Sequence, residues 1–181
     1  MATIYTIGHG NRPIEDFTKL LISARIECLV DVRAYPRSRR HPQFTRMALD
    51  PVLKAQGIRY VWEGEALGGM RRPHADSPHV ALADVAHRGY ADHMATAEFK
   101  SALVRLLALG AAQTTVFMSA ESSPQHCHRS FIADALLARD IEVMHLMGPH
   151  DVRGHALQEG ARRGERGQMV YDACVQLGLA L

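Results

Sequence analysis

The sequence is poor in cysteine and contains no long apolar run. Its three cysteines, Cys28, Cys127 and Cys174, are widely separated, and no secretory signal precedes them. We therefore expect free thiols in a reducing cytoplasm rather than a disulfide framework. No stretch approaches the roughly 20 consecutive apolar residues of a transmembrane helix, so we expect no membrane partner.

Motifs that bind common cofactors are also missing. Gly8-His9-Gly10 lacks the third glycine and the later acidic residue of a dinucleotide fingerprint, and no Walker lysine occurs. We therefore expect no cofactor. The absence of a Gly-x-Ser-x-Gly motif argues against a serine hydrolase of the common α/β type.

The composition that remains is that of one globular domain. A chain of 181 residues, 47% hydrophobic and 22% charged, fits a single domain with a sizeable core. The formal net charge of +2 is too small to indicate wholesale nucleic-acid binding. Two stretches are nevertheless locally basic, Arg33–Arg46 and Arg153–Arg166.

Strand and helix patterns alternate along the first 147 residues. A short continuous apolar run predicts a strand at 28–32, and alternation predicts one at 58–62. Strands are also predicted at 3–7, 114–118 and 141–146. Helix patterns follow from about Pro13, over Arg46–Gln56 with Pro51 inside it, over Ala97–Leu109 between Thr96 and Gly110, and from Ser123-Pro124. This order predicts an α/β, three-layer Rossmann-like fold with a mainly parallel sheet and helices on both faces.

Two parts of the chain show weaker periodicity. The stretch 63–90 is interpreted as a long loop, of the kind that forms a lid or a binding loop. Residues 148–181 are interpreted as a basic C-terminal extension of the same domain, with a terminal helix over Met169–Leu179.

In open parallel sheets, ligands bind beyond the carboxyl ends of the strands. That rule selects four segments: Gly8–Asn11, Arg33–Arg40, Glu63–Gly69 and Ser119–Arg129. The segment after the second strand is rich in arginine, and guanidinium groups bind phosphate or carboxylate oxygens bidentately. We expect the substrate to be bound by Asn11, Arg33, Tyr35, Arg37, Arg39, His128 and Arg129. A solvated basic loop is the alternative interpretation.

The segment around Cys127 carries the second candidate chemistry. If Ser123 caps a helix, a thiol in the first turn has a lowered pKa, and Cys127 could be a nucleophile with His126 or His128 as base. Equally, the thiol could simply pack against the sheet, since Cys127, Phe131 and Ala135 share a helical face. A zinc site formed with His9 has no recognised spacing, and no metal is expected.

Glu121 and His9 follow strand ends, where either could act as a general acid or base. The alternative is that Glu121 only pairs with an arginine to fix the loops. The candidate catalytic residues are therefore Glu121, His9 and Cys127.

The same residues carry a family resemblance. The runs Thr6-Ile7-Gly8-His9-Gly10-Asn11-Arg12, Val30-Asp31-Val32-Arg33, Leu67-Gly68-Gly69 and Cys127-His128-Arg129-Ser130 resemble the domain-of-unknown-function family DUF488 over about residues 3–147. The resemblance implies a bacterial or archaeal cytoplasmic α/β domain and no particular activity. Many members have cysteine where this chain has Ser119, so a two-cysteine mechanism is doubtful here.

Three functions remain open at this point. The first is an enzyme that acts on a phosphate-bearing small molecule or nucleic acid, by hydrolysis or N-glycosidic cleavage in DNA. The second is a noncatalytic module that binds nucleic acid or an anion through the same arginines. The third is a Cys/His thiol or metal centre. The sequence does not predict the oligomeric state.

Overall fold

A computed structural model of the protein describes residues 3–164 and 167–172. Six strands form one sheet: β1 Thr3–Gly8, β2 Cys28–Asp31, β3 Arg59–Trp62, β4 Thr115–Ser119, β5 Glu142–Gly148 and β6 Asp151–Gly154. Their order is β3-β2-β4-β1-β5-β6. The first five strands are parallel, and β6 pairs antiparallel with β5. The predicted, mainly parallel sheet is confirmed.

Helices cover both faces of this sheet. They are α1 Ile14–Ser23, α2 Arg46–Ala55, α3 Gly64–Leu67, α4 Val85–His93, α5 Ala97–Ala112 and α6 Arg129–Leu137. One core cluster joins the sheet to α1 and α2, and a second joins the opposite face to α4, α5 and α6. The predicted three-layer α/β, Rossmann-like fold is therefore confirmed.

The two cores follow from the alternation of side chains along each strand. In β1, Ile4 faces the α5 and α6 side, whereas Ile7 faces the α1 and α2 side. Each fully buried aliphatic or aromatic side chain contributes about 1.5–3 kcal/mol to stability. Because both faces of the sheet are covered, the central strands β2 and β4 are buried along their whole length.

Helix ends were predicted with mixed success. Thr96 caps α5 as predicted, because its hydroxyl accepts the Phe99 amide at 3.2 Å. Gly110 was wrongly predicted to end that helix, which continues to Ala112. A Cβ at Gly110 would lie 2.7 Å from the Ile4 side chain. This glycine lets the helix approach β1 closely, and it does not serve as a helix stop. Pro51 lies inside α2 without splitting it.

Two predictions for the weakly periodic regions were wrong. The stretch 63–90 is not a continuous loop, because it contains α3 and the start of α4. Met169–Tyr171 is strand β8, paired antiparallel with β7 at Ala161–Arg163, and so does not begin a helix. The rest of the predicted terminal helix lies outside the described residues. Within residues 3–164 and 167–172, no helix is long and apolar enough to cross a membrane.

Candidate functional site

The loops after the parallel strands meet at the carboxyl edge of the sheet, as the sequence predicted. The His9 amide donates to the Ser119 carbonyl at 3.0 Å, and the Gly10 amide donates to the Ala120 carbonyl at 2.8 Å. These bonds join the segment after β1 to the segment after β4. Two groups of polar side chains lie at this edge.

The first group, the Asp31 cluster, consists of Asp31, Arg33, Tyr60 and His9. Oδ1 of Asp31 accepts from the backbone amide and Nε of Arg33, at 3.0 and 2.9 Å. Oδ2 accepts from Nη2 of Arg33 and from the Tyr60 hydroxyl, both at 2.6 Å. Asp31 is fully buried. Burial first, and then the Asp31 charge, raise the pKa of Tyr60 far above its usual range, so its hydroxyl stays protonated and donates.

His9 completes the cluster as a neutral ring. Its Nδ1 lies 2.8 Å from the Gly10 carbonyl, which can only accept, so Nδ1 carries the proton. The bare Nε2 then accepts from Nη1 of Arg33 at 3.3 Å. The ring also stacks on Phe44 at 4.3 Å. Burial lowers the pKa of His9 to about 4, and the Arg33 charge adds to this effect.

Arg33 was predicted to bind an anion, but in this arrangement its donors already have partners within the protein. The guanidinium of Arg33 already bonds Asp31 bidentately and contacts His9. The backbone carbonyl of Arg33 accepts from the Trp62 indole at 2.9 Å. Its donors are therefore directed inward, and Arg33 holds the loop that follows β2.

The second group, the thiol cluster, consists of Ser119, Cys127, His128 and Arg129. The Cys127 sulfur lies 3.0 Å from the Ser119 hydroxyl and 3.7 Å from Nδ1 of His128. Nε2 of His128 lies 3.0 Å from the Val32 carbonyl. A carbonyl accepts only, so Nε2 carries the proton and neutral His128 presents a bare Nδ1 to the thiol. This geometry suits proton transfer from sulfur to imidazole.

The pKa of Cys127 reflects opposing effects. Burial raises it, since only 4% of the residue is exposed. Once Nδ1 of His128 has taken the thiol proton, the hydrogen bond and charge of His128, with the charge and backbone amide of Arg129, outweigh burial and lower the pKa to about 6. At neutral pH the sulfur is therefore largely thiolate. By contrast, burial raises the pKa of Cys28.

The local backbone around Cys127 differs from the prediction. Ser123 was predicted to start the helix, but Pro124–His126 forms a single 3-10 turn and α6 begins only at Arg129. Cys127 is extended, with φ −142° and ψ 145°. It therefore precedes the helix, and its pKa is lowered mainly by His128 and Arg129.

Arg129 holds the loop that carries the thiol. It is 1% exposed, its Nη1 donates to the Thr6 hydroxyl at 2.9 Å, and its Nη2 donates to the Glu121 carbonyl at 2.6 Å. The predicted binding residue Arg129 thus faces the protein interior. The predicted base Glu121 is exposed, and its carboxylate interacts electrostatically with Arg129.

The remaining predicted binding residues lie on the surface. The side chains of Asn11, Tyr35, Arg37 and Arg39 are exposed and make no hydrogen bond to the rest of the described chain. His126, the alternative base, is also exposed. The binding and catalytic roles of all these residues stay predictions.

Ser119, Tyr60 and Gly69 belong to the site but were not predicted as functional residues. Ser119 and Gly69 lie within the segments selected after β4 and β3, and this position was the available signal. Tyr60 joins the site through its hydrogen bond to Asp31. A cavity of about 260 Å³ lies beside Gly69, between the loops after β2 and β3. It is lined by Ala34, Tyr35, Trp62, Gly64, Glu65, Gly69, Met70 and Arg71.

Replacing Gly69 with alanine should raise the pKa of Cys127. A Cβ at Gly69 would lie 3.1 Å from Nδ1 of His128, the atom that faces the sulfur. The imidazole must then shift and stabilise the thiolate less. We expect the thiolate absorbance in an ultraviolet pH titration to move up by roughly 0.5–1 unit. Gly154→Ala, whose Cβ meets only the Met144 sulfur at 4.0 Å, should leave the midpoint near 6. Equal midpoints in both variants would contradict this role of Gly69.

The zinc hypothesis gains no geometric support. Across residues 3–164 and 167–172, no group of three or more His, Cys, Asp or Glu side chains is placed to hold a metal ion.

Comparisons with known proteins add a family match. A family model described as "Domain of unknown function DUF488" matches residues 13–136. No curated protein and no solved structure matches the chain.

Proposed function

The chain belongs to the DUF488 family, and from the geometry of its thiol cluster we propose that it is an enzyme that uses Cys127 as a nucleophile on a phosphate-bearing substrate. One observation carries this proposal: the sulfur lies 3.7 Å from a histidine nitrogen whose protonation state is determined by the Val32 carbonyl. A thiolate with a pKa of about 6 is available at neutral pH without an external base.

The reaction would proceed in two steps. The Cys127 proton passes to Nδ1 of His128, and the thiolate attacks the electrophilic atom of the substrate. A bond forms from Sγ to that atom, the bond to the leaving group breaks, and the leaving group takes the proton from His128. Water then gives a proton to His128 and its hydroxide to the substrate atom, which releases the thiolate.

The phosphate class rests on the charges around the site. Arg37 and Arg39 extend from the loop after β2 with exposed guanidinium groups, and Arg71 lines the cavity beside Gly69. Exposed guanidinium groups such as those of Arg37 and Arg39 bind phosphate oxygens bidentately, whereas Arg71 already donates to the Gly68 and Glu65 carbonyls and contributes its charge. A reducing cytoplasm would keep Cys127 reduced, so that the thiolate that the reaction needs can form.

The test is turnover of phosphomonoesters and phosphodiesters that carry a 4-nitrophenyl leaving group. We expect Cys127→Ser to lower turnover by roughly 10³-fold or more, because the nucleophile is lost. In the wild type, kcat/KM should rise with pH through about 6 as the thiolate forms. Acid quenching and mass spectrometry should find the covalent adduct on Cys127.

Cys28→Ser is the matched control, because that thiol is buried in the core away from the loops and should leave turnover unchanged. Equal turnover in wild type and Cys127→Ser would overturn the proposal. If no ester is turned over, yet inorganic phosphate binds and Arg37→Ala or Arg39→Ala weakens that binding, the protein is a noncatalytic anion-binding module. The guanidinium groups of these two arginines are exposed and have no partner among the described residues, and this observation favours the alternative.

A further inference from the structure

A second buried polar network lies beneath α6, centred on Asp134. This residue is fully buried. Its Oδ1 accepts from Nε2 of His155 at 2.8 Å and from the backbone amide of Gln158 at 3.2 Å. Its Oδ2 accepts from the Gln158 side chain at 2.7 Å and from the Tyr171 hydroxyl at 2.9 Å. Such complete hydrogen bonding stabilises the carboxylate. Because a carboxylate can only accept, Nε2 of His155 carries a proton and donates this hydrogen bond.

The hydrogen bond between Asp134 and His155 determines which nitrogen of His145 carries the proton. In the neutral form of His155 that has its proton on Nε2, Nδ1 is bare and accepts from Nε2 of His145 at 3.0 Å. The neutral ring of His145 then has a bare Nδ1 of its own. Burial lowers the pKa of His145 to about 4, and the Arg129 charge adds to this effect. At neutral pH, His145 therefore offers an acceptor at Nδ1.

That acceptor and a nearby donor both lack partners. Within residues 3–164 and 167–172, the buried atoms Nδ1 of His145 and Nε of Arg129 have no hydrogen-bond partner. Arg129 donates from Nη1 to Thr6, and Thr6 is the register partner of His145 across β1 and β5. The two unpaired atoms thus belong to side chains that meet at the same point of the sheet. Leaving a buried polar atom unpaired is unfavourable, because it has lost its hydrogen bonds to water.

We propose that His145 is a positioning residue for the thiol cluster, because one buried water links its Nδ1 to the Nε–H of Arg129 by hydrogen bonds. Asp134 and His155 hold His145 in the protonation state that can accept. Arg129 in turn lowers the pKa of Cys127 through its charge and its backbone amide. A chain of contacts therefore runs from the buried carboxylate to the sulfur.

This inference rests on the proposed function of Cys127, but it is tested through the Cys127 pKa, which is measured without any substrate. The pH titration of thiolate absorbance reports the Cys127 pKa directly. In His145→Phe, which removes the acceptor, we expect the midpoint to rise by roughly 0.5–1 unit from about 6. His155→Phe should raise it as well, since His145 then loses its fixed protonation. His145→Gln, whose amide oxygen can accept, should restore part of the shift.

His74→Ala is the matched control, because His74 is exposed and its ring contacts none of this network. A folded His145→Phe protein whose midpoint stays near 6 would overturn the inference. If that variant fails to fold, long-range ¹H–¹⁵N spectra of the wild type decide the matter. We expect Nδ1 of His145 to carry no proton at neutral pH, and finding it protonated would equally overturn the inference. If Cys127 proves not to be a nucleophile, the pKa result stands independently.

Discussion

Replacing Asp31 with alanine should lower the free energy of unfolding by about 3–5 kcal/mol. The carboxylate accepts four hydrogen bonds, three from Arg33 and one from Tyr60. Arg33 is 7% exposed, so without Asp31 its charge would remain buried and unbalanced. Unfolding in urea, followed by circular dichroism, measures the loss.

Two controls separate the buried charge from a general ion-pair effect. Asp151 forms a similar bidentate pair with Arg153, but both side chains are largely exposed. Asp151→Ala should therefore cost far less, because solvent screens the exposed pair. Asp31→Ala combined with Arg33→Met should recover part of the loss, because the unpaired charge is gone. A cost of less than about 1 kcal/mol for Asp31→Ala would contradict the importance of this cluster for stability.

Lowering the pH from about 6.5 to 4 should destabilise the protein strongly through His9 and His145. Each has a pKa of about 4 in the folded protein, against 6.5 for an unperturbed histidine. The unfolded chain therefore binds more protons across this interval, so stability is fully present above about pH 6.5 and is lost as the pH falls. Each histidine contributes up to about 3 kcal/mol to this loss. Urea midpoints between pH 7 and 4 measure it.

His145→Gln isolates one of the two contributions. The glutamine does not titrate, so stability in this variant should fall less steeply with decreasing pH than in the wild type, whatever its value at pH 7. In the exposed control His74→Gln, the slope should equal that of the wild type. If His145→Gln retains the wild-type slope, His145 is not held neutral in the folded state.

The sequence predicted the five parallel strands closely, because the central strands β2 and β4 are short apolar runs buried along their whole length and the edge strand β3 alternates. The structure has β2 at Cys28–Asp31 and β4 at Thr115–Ser119, each within a residue or two of its prediction. Thr96 was identified as a cap because capping depends on the local backbone alone. The boundaries near Ser123 and Gly110 failed for the opposite reason, since tertiary contacts override local helix signals there.

The site divides in the same way. The sequence by itself determined that residues after β1, β2 and β4 would lie at one edge, since parallel strands all end there. It therefore selected His9, Arg33 and Cys127. Only the tertiary structure decided their states, because each depends on atoms distant in sequence. The Val32 carbonyl orients His128 towards Cys127, Asp31 binds the donors of Arg33, and burial keeps His9 and His145 neutral. Hydrogen bonding and burial determine these charges, and neither property can be read from residue spacing.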